Sequence, residues 1–266
     1  MTCQLLSIFF GIIIGSIIAV YIYSVSIGIM FTPIGENILR LINGVRKLYT
    51  KREQEYLIPL FSDVYTEAKA VYPYLANDIE ICIIDAMHIN AVATGRKTVA
   101  VTRGAVDSLS EEELKGFIAH ELGHIANGDT RAVLFMTVGN GIYSIFIIAI
   151  KKIINLLDIL LYRIGWLWVI ITIIKLIFYI MLFYLGYIAQ IIIAINSRRN
   201  EYRADKFAYE IGFGNDLVEA LYLLQGMCIS DQSKLVNQLM ASHPHIAKRI
   251  GTLEAMIDKE YTGTNF

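Results

Sequence analysis

The sequence predicts an α+β protein that is predominantly helical, with a small mixed sheet and about three transmembrane helices. Hydrophobic residues make up 56% of the 266 residues. That exceeds the roughly 45–50% found in soluble domains, so part of the chain is expected to lie in lipid. Two short β-branched runs predict strands, and a His-Glu-x-x-His string within a helical pattern indicates a metal site.

Residues 5–31 carry no charge and form the first predicted span. The stretch exceeds the roughly 20 residues that cross a bilayer as helix. A cleavable signal peptide ending near Ser24-Val25-Ser26 is the alternative, but no Lys or Arg precedes the apolar run, as a signal peptide would require. Basic residues between 40 and 52 then indicate that this side of the membrane is the cytoplasm.

Two further apolar runs predict a transmembrane hairpin. Residues 132–150 are uncharged, and a second run reaches Asn196 but is interrupted by Lys175. Either Lys175 extends its ammonium to the interface, or the span is limited to 176–195. The predicted organisation is therefore an anchor at 1–31, a first part of a cytoplasmic domain at 32–131, a hairpin at 132–196 and a second part at 197–266.

Residues 36–76 show helical periodicity, with breaks expected at Pro59 and Pro73. A helix lying on the membrane surface and one lying on the cytoplasmic domain would both show this pattern. The runs at 78–85 and 98–102 predict strands.

Between these two strands, small side chains around a central asparagine suit an exposed edge strand over an active site. An extended substrate can pair with such an edge through backbone hydrogen bonds. A plain hairpin strand is an equally good interpretation. His88 is expected to be structural. The residues predicted to contact substrate are Asn90, Ala91, Val92 and Ala93.

Segment 110–128 predicts the helix that carries the metal site. Ser110 and Glu113 fit a capping box, and Asn127-Gly128 fits a helix stop. Apolar residues alternate with the polar ones at helical spacing. The helix is therefore expected to be packed into the domain.

His120 and His124 are four residues apart, so their rings share one helix face about one turn apart. This spacing suits two ligands of one zinc ion, with Glu121 beside the metal as general base rather than ligand. The alternative is a surface helix with ordinary polar residues. The apolar surroundings of the two histidines argue against it.

The last apolar run continues as a helical pattern beyond the membrane, through residues 197–208. Glu201 and Asp205 share a face there, and Ala204 and Ala208 leave room for close packing against the histidine helix. Glu201 is the expected third zinc ligand, which leaves a coordination position for water. Asp205 is expected to accept a ring N–H from a ligand histidine. The alternative is two carboxylates on a solvated helix.

The remaining polar candidates are weaker. His243, or less favourably His245, could donate a hydrogen bond to the oxyanion of a tetrahedral intermediate. Cys3, Cys82 and Cys228 are too few for a disulfide framework, and the last two are expected to be small buried hydrophobes. The net charge of −1 gives no indication of a nucleic-acid partner.

These segments resemble the HtpX-type integral-membrane zinc metallopeptidases and, more distantly, the CAAX prenyl peptidases. The resemblance implies a gluzincin fold, cytoplasmic proteolysis and a role in membrane-protein quality control. The family usually has two N-terminal spans, whereas this sequence shows one. The segments that carry the resemblance are an edge strand at 90–95, a metal helix at 119–124, a third-ligand helix at 197–205, and His243-Pro244 followed by Arg249-Ile250.

We therefore expect a zinc metalloendopeptidase with one Zn²⁺ per chain, in the plasma or inner membrane as a multi-pass protein whose catalytic domain faces the cytoplasm. Helix lengths put the zinc about one nanometre above the bilayer, so membrane-protein or other peptide substrates and the lipid bilayer itself are the expected partners. The alternatives are a peptidase for lipid-anchored C-terminal peptides, a non-catalytic zinc-bearing membrane scaffold, and, least favoured, a transporter.

Overall fold

The computed structural model describes residues 32–130, 198–230 and 246–262, together with 21, 148–149, 152–153 and 156. The chain divides into two compact units, and all elements below belong to the one formed by Pro33–Val133 and Ser197–Phe266. The spans predicted within 5–31 and 132–196 fall almost wholly outside the described residues, as do His243 and His245. Within the described part of the chain, no helix combines the length and apolar character needed to cross a bilayer.

The stretch predicted as one long helix up to Pro59 contains a short strand. A glycine in the left-handed region, Gly44 with φ 66°, follows the first helix. Thr50 and Glu53 form a capping box that begins the second helix. The elements here are α1 (Pro33–Ile42), β1 (Val45–Arg46) and α2 (Lys51–Val71).

The break predicted at Pro59 is wrong, because α2 continues through it. Pro59 is exposed, so water can satisfy the carbonyl that loses its helical hydrogen bond. Leu57, Leu60 and Phe61 are buried around it. Their burial, about 1.5–3 kcal/mol each, outweighs the roughly 3 kcal/mol cost of an interior proline. The end predicted near Pro73 is confirmed, because Tyr72 caps α2.

A small mixed sheet forms, as predicted. Its three longer strands are β2 (Glu80–Ile84), β3 (Ala91–Thr94) and β4 (Thr98–Thr102). The strand order is β1-β2-β4-β3, with a parallel central pair and antiparallel outer pairs. Every residue of β4 is buried, whereas β3 is an edge strand.

The helices after the sheet are α3 (Arg103–Ser108), α4 (Glu111–Asn127), α5 (198–210), α6 (Gly214–Ser230) and α7 (Ile246–Thr262). The histidine-bearing helix α4 lies at the centre of this unit and contacts α2, β3 and α6. Two glycines permit its close packing. A Cβ at Gly116 would lie 2.5 Å from the Leu217 nitrogen, and one at Gly123 would lie 2.9 Å from Ala204 Cα.

Candidate active site

Local sequence sets the ends of α4 as predicted. Ser110 accepts a hydrogen bond from the Glu113 backbone while the Glu113 carboxylate accepts one from Ser110, which completes the capping box. Gly128 ends the helix in the left-handed region with φ 75°. His120 and Glu121 are both buried. The helix therefore presents these two polar residues to the interior of the domain rather than to bulk water.

Three side chains from two helices converge on one point. The Nε2 atoms of His120 and His124 lie 3.2 Å apart. Glu201, on α5, places Oε2 3.5 Å from Nε2 of His120 and Oε1 3.5 Å from Nε2 of His124. One ligand atom from each residue falls within a set whose members are all within 4.8 Å of one another.

These separations fit a zinc ion. Two ligand atoms that are each about 2.0–2.1 Å from a tetrahedral ion lie about 3.3 Å apart. The observed separations among the three side chains are 3.2–3.5 Å, with a different oxygen of Glu201 facing each histidine. Two imidazoles and one carboxylate are also the donor types of hydrolytic zinc sites that keep a position for water. His120, His124 and Glu201 can therefore hold the predicted metal.

Both ligand histidines have a carboxylate at the other ring nitrogen. Asp205 Oδ1 lies 2.9 Å from Nδ1 of His120, the contact expected from the sequence. Asp129 Oδ2 lies 3.1 Å from Nδ1 of His124, and sequence reasoning missed this partner. With Nδ1–H donated to a carboxylate, each Nε2 carries the lone pair that a metal needs.

Arg249 is the second residue missed from the sequence. It comes from α7 and is 1% exposed. Its Nε and Nη2 donate to the two oxygens of Asp205 at 2.8 and 2.6 Å. Its Nη1 lies 2.8 Å from Glu201 Oε2. One guanidinium thus fixes both a metal ligand and the carboxylate that orients His120.

The electrostatics of this cluster favour a cation. Burial alone would lower the pKa of His124, but its hydrogen bonds to Asp129 and Glu201 raise it to about 10. Burial would raise the pKa of Asp205, but Arg249 and His120 lower it to about 2. Asp205 thus remains charged, and without metal the carboxylates beside His124 stabilise a proton on its ring. A metal ion binding here displaces that proton.

Glu121 lies between the histidines and the edge strand. Its Oε2 accepts a 2.6 Å hydrogen bond from the backbone nitrogen of Ala93. A small pocket here is lined by His120, Glu121 and Arg249 and by four apolar residues, Ala91, Phe117, Leu221 and Leu224. Of the residues predicted to bind substrate, Ala91, Val92 and Ala93 lie on β3 beside Glu121, and Asn90 immediately precedes the strand.

The missed residues leave weak signals in the sequence. Arg249 stands next to Ile250 and three residues from Ile246, on a helix face whose other members are buried. A charge in such a stripe marks a buried ion pair. Asp129 follows the helix-stopping Gly128 directly, close to the last turn that carries His124. The backbone carbonyl of His88 accepts a hydrogen bond from the Thr102 hydroxyl, and the structural role expected for its imidazole stays a prediction.

Residues 51–257 match the model of peptidase family M48. The chain belongs to peptidase family M48. The predicted resemblance to HtpX-type peptidases is confirmed, and with it the enzyme class of a metallopeptidase. The M48 match also agrees with the observed mostly helical domain and small mixed sheet.

Relatives within the family include Protease HtpX of Wigglesworthia glossinidia brevipalpis, 29% identical over 210 residues, which cover 68% of this chain and 67% of the relative. Protease HtpX of Escherichia coli K12 is 29% identical over 215 residues, with coverages of 68% and 67%. A homologue from Bordetella avium is 31% identical over 190 residues, 63% of this chain and 61% of its own. The matched part is thus about two thirds of these relatives' length.

The fold is also similar to a solved structure. The crystal structure of S. mikatae Ste24p superposes with a TM-score of 0.51 at 24% identity, covering 89% of this chain and 57% of that one. At this identity the match shows a similar fold and nothing further.

Proposed function

We propose that this M48 chain is a membrane-bound zinc metalloendopeptidase that hydrolyses peptide bonds of membrane or misfolded proteins at the cytoplasmic membrane surface. The observation that carries the proposal is the convergence of His120, His124 and Glu201, with all three pairwise separations at 3.2–3.5 Å. Glu121 is buried directly beside them. A role in protein quality control is part of the proposal and is supported by the similarity to the HtpX proteases.

The residues of the site have two roles: some would bind the metal, and others orient those ligands. His120, His124 and Glu201 would hold one zinc ion, while Asp205, Asp129 and Arg249 orient those three. Zinc supplies a Lewis acid that polarises the scissile carbonyl and lowers the pKa of water toward 7.

Glu121 performs the proton transfers. Its carboxylate takes a proton from the attacking water as the new C–O bond forms at the peptide carbonyl. It then returns that proton to the leaving amine as the C–N bond breaks, so no net proton is consumed in this step. His243 is proposed to stabilise the oxyanion.

The substrate is proposed to add to the open edge of β3 as an extended strand. Such pairing uses backbone groups and tolerates many side chains, as a protease of misfolded proteins requires. The uncharged runs at 5–31 and 132–150 support the membrane location. They also support the proposal that the substrates are proteins at or near the bilayer.

Glu121→Gln tests the function directly. We expect the detergent-purified variant to bind one zinc per chain and to cleave casein about 10²- to 10⁴-fold more slowly than wild type. Glu112→Gln is the matched control, because it makes the same substitution at an exposed position of the same helix. Wild-type cleavage by Glu121→Gln would refute the general base. Zinc binding with no cleavage by wild type or by either variant would instead favour a scaffold.

A further inference from the structure

The edge strand holds the general base. Glu121 Oε2 accepts the 2.6 Å hydrogen bond from the Ala93 nitrogen. We propose, on the basis of the function above, that the backbone N–H of Ala93 is a positioning group. It fixes one carboxylate oxygen of Glu121 and leaves the other to face the attacking water.

The strand register explains why this N–H is available. Ala93 pairs with Val99 and Ala91 with Val101 across the β3–β4 ladder. The Thr102 nitrogen donates to the Asn90 carbonyl at 2.9 Å, so Asn90 and Thr102 form a hydrogen-bonded pair. Antiparallel pairs alternate between bonded and non-bonded, so Ala91 and Ala93 both belong to non-bonded pairs. Their N–H and C=O groups point away from β4, toward the open edge.

Burial gives the contact its weight. Glu121 is 4% exposed, and a buried carboxylate is costly unless donors satisfy it. A short N–H to carboxylate bond is a strong one of its kind. A glutamate has three side-chain torsions, and misplacing a reacting group by about 1 Å can cost about 10²-fold in rate. The fixed strand therefore removes freedom that the helix alone leaves to Glu121.

The same strand then serves two purposes. A substrate strand that adds to β3 finds the Ala93 N–H already engaged, whereas the Ala91 N–H and C=O lie on the same edge. Substrate pairing and base positioning are thus assigned to neighbouring outward-facing residues. A change at Ala91 should act on binding, and a change at Ala93 on turnover.

Proline substitutions separate the two roles, because an edge strand tolerates proline where its N–H is outside the ladder. We expect Ala93→Pro to lower kcat about 10- to 100-fold with one zinc still bound and little change in KM. Ala91→Pro, the matched variant, should raise KM by a larger factor than it lowers kcat. If both variants change the same parameter by the same factor, the positioning role is overturned.

Hydrogen exchange tests the bond without any turnover. In wild type the Ala93 amide should exchange at least about 10-fold more slowly than in Glu121→Ala, while the Ala100 amide in central strand β4 exchanges equally in both. Equal exchange at Ala93 in the two proteins would refute the proposal. If wild type fails to cleave casein, the proposed function falls, whereas this comparison still decides whether Ala93 holds Glu121.

Discussion

Glu53 and Glu201 are both buried glutamates paired with arginine, yet their surroundings differ in one respect. Glu53 receives hydrogen bonds from Arg46 and Arg103 at 2.6–3.2 Å and from two backbone nitrogens at 3.1 and 3.3 Å. Each of these neighbours is a donor. The cluster is balanced and serves to join β1, α2 and α3.

Glu201 instead shares its surroundings with acceptors. Arg249 Nη1 lies 2.8 Å from one of its oxygens, but in the neutral imidazoles of His120 and His124 the Nε2 atoms carry lone pairs once each Nδ1–H is donated to a carboxylate. Two neutral imidazoles and a carboxylate at 3.2–3.5 Å from one another need a shared cation, which is a proton in the metal-free protein and a metal ion once one is bound. Donor–acceptor balance, rather than charge or burial, therefore distinguishes a set of metal ligands from a structural ion cluster.

The largest expected effect comes from truncating each glutamate. Glu201→Ala should reduce bound zinc from one per chain to near zero and lower casein cleavage by more than about 10³-fold, because a two-histidine site holds zinc weakly. Glu53→Ala should keep its zinc and lose only stability. Metal analysis after dialysis measures both, and tight stoichiometric zinc in Glu201→Ala would remove it from the ligand set.

Removing an arginine from each cluster should lower the unfolding free energy by different amounts. In metal-free protein, Arg249→Met removes the guanidinium that contacts both Glu201 and Asp205 and leaves only histidine protons to balance these buried carboxylates, so we expect a loss of about 3–5 kcal/mol in unfolding free energy. Arg46 is 23% exposed and shares Glu53 with Arg103, so Arg46→Met should cost about 1 kcal/mol.

Urea unfolding in detergent gives both values. Zinc stabilises every variant that binds it, so the test is whether added zinc narrows the stability gap between Arg249→Met and wild type while leaving the gap of Arg46→Met unchanged. Equal losses for the two variants, or a gap that zinc does not narrow, would show that Arg249 does not compensate the carboxylates of Glu201 and Asp205.

A smaller effect is expected at the carboxylate that sequence reasoning missed. Asp129→Asn should weaken zinc binding about 10- to 100-fold, because the amide holds the His124 tautomer less firmly. Asp85→Asn is the counterpart in the Glu53 cluster, where Asp85 bonds Arg46 at 2.6 Å, and it should leave zinc affinity unchanged. Competition with a chromophoric chelator measures both affinities. Identical affinities would show that Asp129 does not support His124 as a ligand.

The parts of the site that could be predicted are local. The capping box, the four-residue spacing of His120 and His124, and the glycine stop all act within one helix, so periodicity and cap chemistry suffice. The role of Glu201 could be predicted for a different reason. The small Ala204 beside it signalled a close helix contact, and the structure shows Ala204 packed against Gly123.

What escaped prediction depends on partners distant in sequence. β1 has two residues and exists because Val45 and Arg46 pair with β2, near Ile84. Its apolar spacing is equally compatible with the helix that was expected. Arg249 meets Asp205 across 44 positions, and no local pattern fixes which carboxylate a buried arginine will find.

The smallest expected effect is the loss of stability that follows protonation of Glu53 at acid pH. The hydrogen bond from Arg46 and then those from Arg103 and the backbone lower the pKa of Glu53 well below its ordinary 4.5, despite burial. Because the folded-state pKa is depressed, the unfolded chain binds the proton first. The contribution of Glu53 is therefore complete above about pH 4.5 and is lost as pH falls below that value.

We expect metal-free wild type to lose about 1–2 kcal/mol more than Glu53→Gln between pH 6 and pH 3, seen as a difference of about 2–8 °C in the fall of Tm. Metal-free protein is required, since acid also releases zinc from the histidines. The difference between the two proteins isolates Glu53, because Asp85 and the other surface carboxylates titrate in both. Parallel Tm curves would mean that Glu53 stays paired in the unfolded chain or contributes nothing, and the balanced cluster would then lose its structural role.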